Sequence, residues 1–387
     1  MNRKIARGML LITLILLIML SACGGKNQIE SSLVVSQMAT NPDNRFKQIT
    51  GAYPFRFPED QGPHLDYQTE WWYYTGNLET SNGRHFGYQL TFFRRGILNV
   101  DLTEISKRTS LWAATDFYLA HFAITDTAEG NHYAFEKLAR GAAGLSGAVG
   151  GTNFEVWLLD WHVKQTGEGV YELLAQSDGI QLELSLIDTK GVVLHGIDGY
   201  SQKGVDSGNA SFYYSQPRLE TSGIIQINDE ILSVSGTSWM DHEFGTSTLG
   251  ENDLGWDWFS IQFDQGEELM LFQIRDQSGE VSPYSSGTFI PLSGKHTTLT
   301  KDDFIISVVD FWKTEENYPY PSRWEVAIPG LDLELTIEPV INNQEMKLFF
   351  RYWEGAVLVT GMINGKQVTG WGYVELTGYA QSMQGVF

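Results

Sequence analysis

Glu70-Trp71-Trp72-Tyr73-Tyr74 leads through the turn Ser81-Asn82-Gly83 into Tyr88-Gln89-Leu90-Thr91-Phe92. Short runs of aromatic and β-branched residues on either side of such a turn are typical of a β-hairpin. A later stretch has the same form, because Trp256-Asp257-Trp258-Phe259 leads through a Gln-Gly turn into Phe272-Gln273-Ile274-Arg275. The return strand of both hairpins carries a glutamine between apolar neighbours. This internal echo predicts two similar β-units.

The same alternation continues along the chain from Gly51 onward, in short runs that are separated by turn pairs. Strands at this spacing predict an all-β fold, an antiparallel sandwich or barrel. We place the two units at residues 46–250 and 251–387, because polar residues and glycine interrupt the pattern near Leu249–Asn252. Each unit has the right size for one barrel. The best helical candidate is a turn or two at Asp101–Arg108.

The N-terminus has the form of an export signal. Arg3, Lys4 and Arg7 precede a short apolar run, and Leu20-Ser21-Ala22-Cys23 follows it. This order predicts a secretory signal peptide at residues 1–22, since the apolar run is too short to span a bilayer comfortably. The last four residues look like the lipobox of bacterial lipoproteins, which implies a lipid on Cys23. An ordinary signal peptide with an incidental cysteine is the alternative.

Composition narrows the classes of function. The single cysteine of the chain stands at the predicted cleavage site, so the mature fold has no disulfide bond. Residues 23–45 read as a polar tether between the lipid and the fold. The formal net charge of −21 argues against nucleic acid as a partner, and against electrostatic binding to anionic lipid. Attachment to a membrane therefore depends on the acyl chains.

Several blocks of sequence resemble the AttH and carotenoid 1,2-hydratase (hydroxyneurosporene synthase) family, whose members are often labelled predicted secreted hydrolases. The match extends over nearly all of residues 52–380. The blocks that carry it are Phe57–Gly62, Glu70–Gly76, Ala120–Ala123, Gly208–Ser215, Trp239–Phe244, Gly255–Phe259, Tyr352–Val357 and Gly372–Tyr379. The resemblance implies two tandem lipocalin-like antiparallel β-barrel domains.

The two branches of that family imply different functions. The hydratase branch adds water to a terminal isoprenoid double bond without a cofactor, and its proposed proton donor matches Asp241. Trp239 stands where that branch has a tyrosine. A histidine and a tryptophan of that branch fall near Phe212–Tyr214, where this chain has no histidine. The AttH branch is assigned to an ABC transport system, and the lipobox and the Trp-Met-Asp block resemble that branch more closely.

The residues around Asp241 also support a role as an acid independently of the family resemblance. On a strand, Trp239, Asp241 and Glu243 share one face, while Met240 and His242 lie on the other. Burial beside an indole and a second carboxyl raises the pKa of an acid, and a protonated acid in an apolar pocket can protonate an alkene. The alternative is a buried acid that accepts hydrogen bonds from backbone N–H groups at a domain joint. Trp239 and Trp256 are more often core residues than catalytic ones.

The aromatic hairpins suggest a place for a ligand. Whichever side of the first strand faces a barrel lumen, large rings line it, which suits an elongated apolar molecule. The alternative is that both sides are packed core, with Glu70 paired to Arg94 or Arg95. The ligand-binding candidates are Trp71, Trp72, Tyr74, Trp256 and Trp258.

Other kinds of site lack a sequence signal. The eight histidines have no paired ligand spacing, so we predict no metal site. The cluster Asp241-His242-Glu243 splits across two strand faces and cannot chelate as a unit. A G-x-S-x-G elbow, a P-loop and a dinucleotide fingerprint are all missing from the sequence, so we predict no cofactor and find no support for a serine or metal hydrolase.

The sequence leads us to expect an extracytoplasmic lipoprotein that binds a lipid or isoprenoid and serves an ABC transporter permease. In a cell with two membranes, it would be anchored to the outer membrane and face the periplasm, since the retention-type aspartate is absent after Cys23. The first alternative is a cofactor-free hydratase or lyase with Asp241 as the acid and Trp239, Tyr213 and Tyr214 as walls that stabilise a cation. The second alternative is a protein-docking module of two packed barrels.

Overall fold

A computed structural model describes residues 45–97, 110, 112–206, 208–245, 249–250 and 252–383. The described chain is built from antiparallel strands in two large curled sheets, with four short 3₁₀ helices. This architecture confirms the predicted all-β fold with two tandem lipocalin-like barrels. The 3₁₀ helices are Glu59–Gln61, Gly151–Asn153, Lys301–Asp303 and Pro329–Leu331.

The first sheet forms the first barrel, and it has thirteen strands among the described residues. They are β1 (Thr69–Thr80), β2 (His85–Gly96), β3 (Asp116–Asp126), β4 (Asn131–Arg140), β5 (Ser146–Val149), β6 (Glu155–Leu158), β7 (Trp161–Gly167), β8 (Val170–Ser177), β9 (Ile180–Asp188), β10 (Val193–Leu194), β11 (Tyr200–Gln202), β12 (Ala210–Ile227) and β13 (Glu230–Gly245). Their order is β4-β3-β2-β1-β13-β12-β9-β8-β7-β6-β5, and the short β10 and β11 both pair with β12.

The second sheet forms the second barrel, with ten strands in the part of the chain that the structure covers. They are β14 (Asp253–Phe263), β15 (Glu268–Asp276), β16 (Ser286–Ile290), β17 (Thr297–Thr300), β18 (Ile305–Lys313), β19 (Pro319–Ile328), β20 (Leu333–Pro339), β21 (Glu345–Lys347), β22 (Arg351–Ile363) and β23 (Lys366–Leu376). Their order is β17-β16-β15-β14-β23-β22-β20-β19-β18, and β21 pairs with β22.

The two sheets share one plan of connection. Each begins with an aromatic hairpin, β1–β2 in the first sheet and β14–β15 in the second. In each sheet the first strand of that hairpin also pairs with the last strand of the sheet, β13 or β23. The echo between the two hairpins in the sequence therefore corresponds to equivalent positions in two barrels.

Apolar side chains fill the interiors of both barrels. Trp72, Tyr88 and Trp161 lie in the core of the first barrel, and each is 0% exposed. Phe259 and Trp324 occupy the same kind of position in the second barrel. Burial of such side chains is the main favourable contribution to folding in a chain without disulfide bonds.

The two barrels belong to one compact unit of the chain and pack closely against each other. Gly87 of β2 lies so near to Ala356 of β22 that a Cβ atom added to it would be 2.6 Å from the alanine methyl group. Polar contacts also cross the interface: Arg218 Nε donates to Glu268 Oε1 at 2.6 Å, and Asn77 Nδ2 donates to the carbonyl of Gly372 at 3.1 Å. Any site at this interface is therefore built by both barrels.

Some of the sequence-based predictions lie outside the described residues. These are the signal peptide at residues 1–22, the lipidated Cys23, the tether as far as residue 44, and the helical candidate at Asp101–Arg108. Within the described residues, none of the helices has the length and the apolar character needed to cross a membrane.

Candidate functional site

A narrow cleft lies between the two barrels, not inside either of them. Its volume is about 70 Å³, counted as the space open to the centre of a water molecule. Aromatic rings and carboxyl groups form most of its wall. The first barrel and the segments that follow its strands contribute Trp71, Tyr73, Phe93, Lys203, Asp241, Glu243 and Leu249, and the second barrel contributes Trp256, Trp258, Phe272, Ile274, Glu354 and Glu375.

Strand alternation explains which side chains of the first barrel reach the cleft. In the antiparallel pair β1–β13, Tyr73 lies opposite Asp241, and Trp71 lies opposite Glu243. Residues two apart on a strand share a face, so these four side chains all point towards the second barrel. The predicted common face of Asp241 and Glu243 is therefore present, and it faces the cleft.

Three side-chain donors hold the carboxyl group of Asp241. Trp239 Nε1 donates to Oδ1 at 2.6 Å, and Tyr213 Oη donates to Oδ2 at 2.7 Å. Ser215 Oγ also donates to Oδ1. The side chain is 3% exposed, and its bonding partners here are side chains instead of the backbone N–H groups of the alternative interpretation.

Burial raises the pKa of Asp241 to about 7. The three donors favour the charged form and offset part of this rise, while the nearby Glu243 adds to it. The carboxyl is therefore protonated in about half of the molecules near neutral pH. Such a group can both donate and accept a proton under ordinary conditions.

A chain of hydrogen bonds leads away from Asp241 through the interface. His195 Nε2 lies 2.5 Å from Ser215 Oγ, and His195 Nδ1 lies 2.8 Å from Thr288 Oγ1 on the second barrel. Burial lowers the pKa of His195 well below its usual value, and the charges of Lys203 and His296 act in the same direction, so the ring is neutral. Since Ser215 donates to Asp241, it accepts from His195, which assigns the ring proton to Nε2.

Two more carboxyl groups form the opposite wall of the cleft. Glu354 of β22 and Glu375 of β23 are directly paired across the two strands. Burial and the charge of Glu375 raise the pKa of Glu354 well above its usual value. Burial also raises the pKa of Glu375 to about 7, with the charges of Glu243 and Asp241 adding to the rise. Proton-carrying acids therefore line the cleft from both sides.

Lys203 brings a positive charge to the same space. Its Nζ lies 3.4 Å from Glu243 Oε2 and 3.9 Å from the centre of the Phe272 ring. Burial lowers the pKa of Lys203, and the neighbouring Glu243 opposes this effect. Glu243 also accepts a hydrogen bond from Ser211. The second carboxyl on the Asp241 face is therefore partnered.

The structure separates the predicted site residues into two groups. Asp241, Trp239 and Tyr213 are joined by hydrogen bonds, and Trp258 Nε1 donates to Tyr213 Oη at 3.0 Å. Trp71, Trp256 and Trp258 line the cleft. The structure does not bring the remaining three residues there, since Trp72, Tyr74 and Tyr214 point into the core of the first barrel and are 0% exposed. The physical reason is the two-residue alternation of β1 and β12.

That core face carries a second polar network, centred on Glu70. Arg94 Nε donates to Glu70 Oε2 at 3.0 Å, which is the ion pair that the packed-core alternative offered for Glu70. His64 Nδ1 and His242 Nε2 lie 2.8 and 2.9 Å from Glu70 Oε1. Burial alone would raise the pKa of Glu70, but Arg94 and the two histidines outweigh it and hold the pKa below its usual value. The carboxylate is therefore charged and fully paired.

Among the described residues, His64, Glu70 and His242 come close to the arrangement that holds a metal ion. One ligand atom each of His64, Glu70 and His242 lies within 4.8 Å of the others. Spacing in the sequence could not reveal them, because His242 on β13 lies far along the chain from His64 and Glu70. Glu70 already accepts hydrogen bonds from Arg94 and from the backbone N–H of His64. A metal ion would have to displace these donors beside a buried guanidinium group, so the residues present fit a hydrogen-bond network better.

Comparison with known proteins gives a family and a fold. A family model described as AttH-like matches residues 48–379. The crystal structure of an AttH protein from Nitrosomonas europaea is 33% identical in sequence. The similarity covers 86% of this chain and 99% of that chain, with a TM-score of 0.76. No curated protein sequence matches this chain significantly.

Two further solved structures share the fold at low sequence identity. Kievitone hydratase from Nectria haematococca is 14% identical, with 88% of this chain and 98% of that chain covered and a TM-score of 0.65. CghA, solved with Sch210972, is 11% identical, with coverage of 87% and 97% and a TM-score of 0.52. At this identity the likeness concerns the two-barrel fold alone.

Proposed function

The chain belongs to the AttH-like family, and on that premise we propose that it is a cofactor-free hydratase or dehydratase of apolar, unsaturated molecules. This membership confirms the resemblance found in the sequence. The proposed reaction is the addition of water to a carbon–carbon double bond, or the reverse elimination, with Asp241 as the proton donor. The fold, although not the sequence, is also that of kievitone hydratase.

The observation that carries the proposal is a titratable acid in an aromatic cleft. Asp241 has a pKa of about 7 and is held by three donors that fix the direction of its carboxyl group. A proton placed on an alkene leaves a carbocation, and the faces of Trp71, Trp256 and Trp258 can stabilise it. Ionised carboxyl groups around the cleft also stabilise the carbocation, because their negative charge attracts the developing positive charge.

The shape of the cleft limits the substrate to the end group of an apolar molecule. A cleft in which the centres of water molecules can reach only about 70 Å³ accommodates a branched end of a few carbon atoms rather than a whole lipid chain. The walls are largely aromatic, so a hydrocarbon end group is preferred over a polar one. An acyclic isoprenoid with a terminal dimethyl-substituted double bond meets these conditions.

We expect the purified protein to hydrate acyclic isoprenoids. Incubation with geraniol or squalene in ¹⁸O-labelled water should give tertiary alcohols that carry ¹⁸O, since water supplies the oxygen atom. Mass spectrometry of the extracted products measures the label. A boiled sample of the same protein is the control, and a series of isoprenoids that all stay at the level of that sample would contradict the proposal.

The aromatic lining of the cleft also favours a second candidate function, which is binding of a hydrophobic molecule without chemistry. In that case the protein is a carrier that serves an ABC transport system, as the resemblance to AttH implies. The two functions differ in one measurement. A carrier binds geraniol or a fatty acid and returns it unchanged, whereas a hydratase returns it with ¹⁸O.

We further propose that a lipid on Cys23 anchors the protein outside the cytoplasm. When the full chain is expressed in a bacterium, we expect it to incorporate labelled palmitate and to sediment with the membranes. The Cys23→Ser variant should lose the label and appear in the soluble fraction. Ser31→Ala, a change in the predicted tether, is the matched control and should keep both properties. Unlabelled, soluble wild-type protein would contradict the anchor.

A further inference from the structure

We propose that Glu375 is the base that completes the reaction which Asp241 begins, by accepting a proton from the water molecule that attacks the substrate. The acid then belongs to the first barrel and the base to the second. This inference rests on the proposed hydratase function and adds a second catalytic residue to it. It explains why the site lies between the barrels, because neither barrel alone carries both groups.

The position of Glu375 is the first argument. Its side chain lines the cleft that Asp241 also lines, and it is partly exposed, whereas its neighbour Glu354 is 1% exposed. Trp256 Nε1 donates to Glu375 Oε2 at 3.2 Å and so orients one of its two oxygen atoms. Glu375 is therefore the more accessible member of the pair to a water molecule in the cleft.

The pairing with Glu354 is the second argument. Two carboxyl groups that face each other across adjacent strands repel when both are charged, so one proton is retained by the pair. Glu354 is the more deeply buried of the two, and burial favours the neutral, protonated form of a carboxyl group. The proton that the pair retains therefore belongs to Glu354, and Glu375 is the member of the pair that ionises. A carboxylate with a raised pKa is a stronger base than an ordinary one.

The reaction balances without any further reagent. Asp241 gives its proton to one carbon of the double bond, so that a C–H bond forms, the π bond breaks and the other carbon becomes a cation. Water attacks this cation and forms the C–O bond, and the proton that the oxygen then loses goes to Glu375. The product is the alkene plus one water molecule. Transfer of a proton from Glu375 to Asp241 through solvent restores the enzyme.

Two measurements with geraniol test the proposal: ¹⁸O incorporation, which requires the whole reaction, and deuterium uptake into the alkene from D₂O. Deuterium uptake requires only that Asp241 protonates the alkene and takes a proton back. In the Glu375→Gln variant we expect hydration to fall about 100-fold, the lower range for a general base, while deuterium uptake stays within a few-fold of the wild-type rate. Glu334→Gln, an exposed change on β20, is the control and should leave both rates unchanged.

A conservative variant and a pH profile separate catalysis from structure. Glu375→Asp keeps a carboxylate and should recover part of the hydration rate. The groups that face Glu375 are Glu354 on β22, Asp241 and Glu243 on β13, and Lys203. In the wild type, hydration should rise with pH as Glu375 loses its proton and fall as Asp241 loses its own, which gives a bell centred near pH 7. The Glu375→Gln variant should lose the rising limb.

Each outcome has a definite meaning. Equal loss of hydration and deuterium uptake in Glu375→Gln overturns the assignment of the base while the hydratase function stands. Unchanged hydration in that variant overturns it as well. If wild-type protein shows neither ¹⁸O incorporation nor deuterium uptake, the hydratase function itself fails, and the base with it. If Glu375→Gln does not fold, the Glu375→Asp variant provides the test. A hydration rate of folded Glu375→Asp that is no better than background also counts against Glu375 as the base.

Discussion

Replacement of Asp241 by asparagine is expected to lower the hydration rate by about 10²- to 10⁴-fold, the range that a general acid contributes. Asparagine has nearly the same shape, so its amide oxygen can still accept hydrogen bonds from Trp239 and Ser215. What it lacks is the proton that Asp241 carries near neutral pH because burial raises its pKa to about 7. The measurement is ¹⁸O incorporation into geraniol per molecule of folded protein, with folding checked by circular dichroism.

The control for this prediction is a second buried carboxyl group. Asp257 of β14 is 2% exposed, pairs with Arg275 Nε at 3.1 Å, and has a pKa that burial raises. It does not line the cleft, so the folded Asp257→Asn variant should keep its rate. Rates within a few-fold of wild type in Asp241→Asn would remove Asp241 from the mechanism.

The pH dependence of wild-type hydration follows from the same group. An acid with a pKa of about 7 gives up its proton above that value, so the protonated fraction falls about tenfold for each further pH unit. The residual rate of Asp241→Asn should lack this falling limb. The raised pKa of Asp241 also makes stability depend on pH. Because the pKa in the folded protein lies above the value in the unfolded chain, the free energy of unfolding falls as pH rises from about 4 to about 7.

The fold was largely predictable because it depends on a local pattern. The two aromatic hairpins predict two sheets that begin in the same way. Two-residue alternation places Asp241 on the same strand face as Trp239 and Glu243. The same rule splits Trp71 and Tyr73 from Trp72 and Tyr74. What alternation cannot reveal is which face points outward to a second barrel. That choice depends on packing between residues far apart in the sequence, so the pattern suggested a barrel lumen, whereas the cleft lies between the barrels.

The rest of the site could not be predicted for the same reason. His195 reaches Asp241 only through Ser215, and Glu375 faces Asp241 from the other barrel. No spacing rule connects such residues, because the distance between them is set by how two sheets dock. One weak signal for the second wall of the cleft was present in the sequence. Glu354 and Glu375 are each the single acid in a largely apolar block, Tyr352–Val357 and Gly372–Tyr379, that resembles the family. An acid at such a position has to be partnered, protonated or functional.

Replacement of Arg94 by methionine is expected to reduce the free energy of unfolding by about 3–5 kcal/mol, the usual cost of removing one partner from a buried ion pair. The Arg94 side chain is 0% exposed and contacts Glu70 at 3.0 Å and Asp116 at 2.7 Å. It also donates to the backbone carbonyls of His64 and Tyr67 at 2.8 and 2.7 Å. Methionine fills most of the volume but leaves these oxygens without their donor. Urea unfolding followed by tryptophan fluorescence measures the change.

The matched control is Arg323→Met on the second barrel. Arg323 and Glu338 form an ion pair at 3.6 Å in which both side chains are about half exposed, so its loss should change the free energy of unfolding by no more than about 1 kcal/mol. Similar midpoints of urea unfolding for the two variants would mean that the Glu70 network contributes no more to the free energy of unfolding than a surface ion pair does.

The Glu70 network also bears on the site, although it lies on the opposite face of the sheet. Glu70 and His242 belong to β1 and β13, the two strands that place Tyr73 opposite Asp241. A shift of one residue between these strands would exchange the two faces and would put the charged network into the cleft. Since burial of Glu70 is tolerable only beside Arg94 and the two histidines, the network stabilises the one register that presents Asp241 to the second barrel. The Arg94→Met variant should therefore keep its hydration rate per folded molecule under conditions where it still folds, and a fall in that rate without unfolding would show that the register itself has changed.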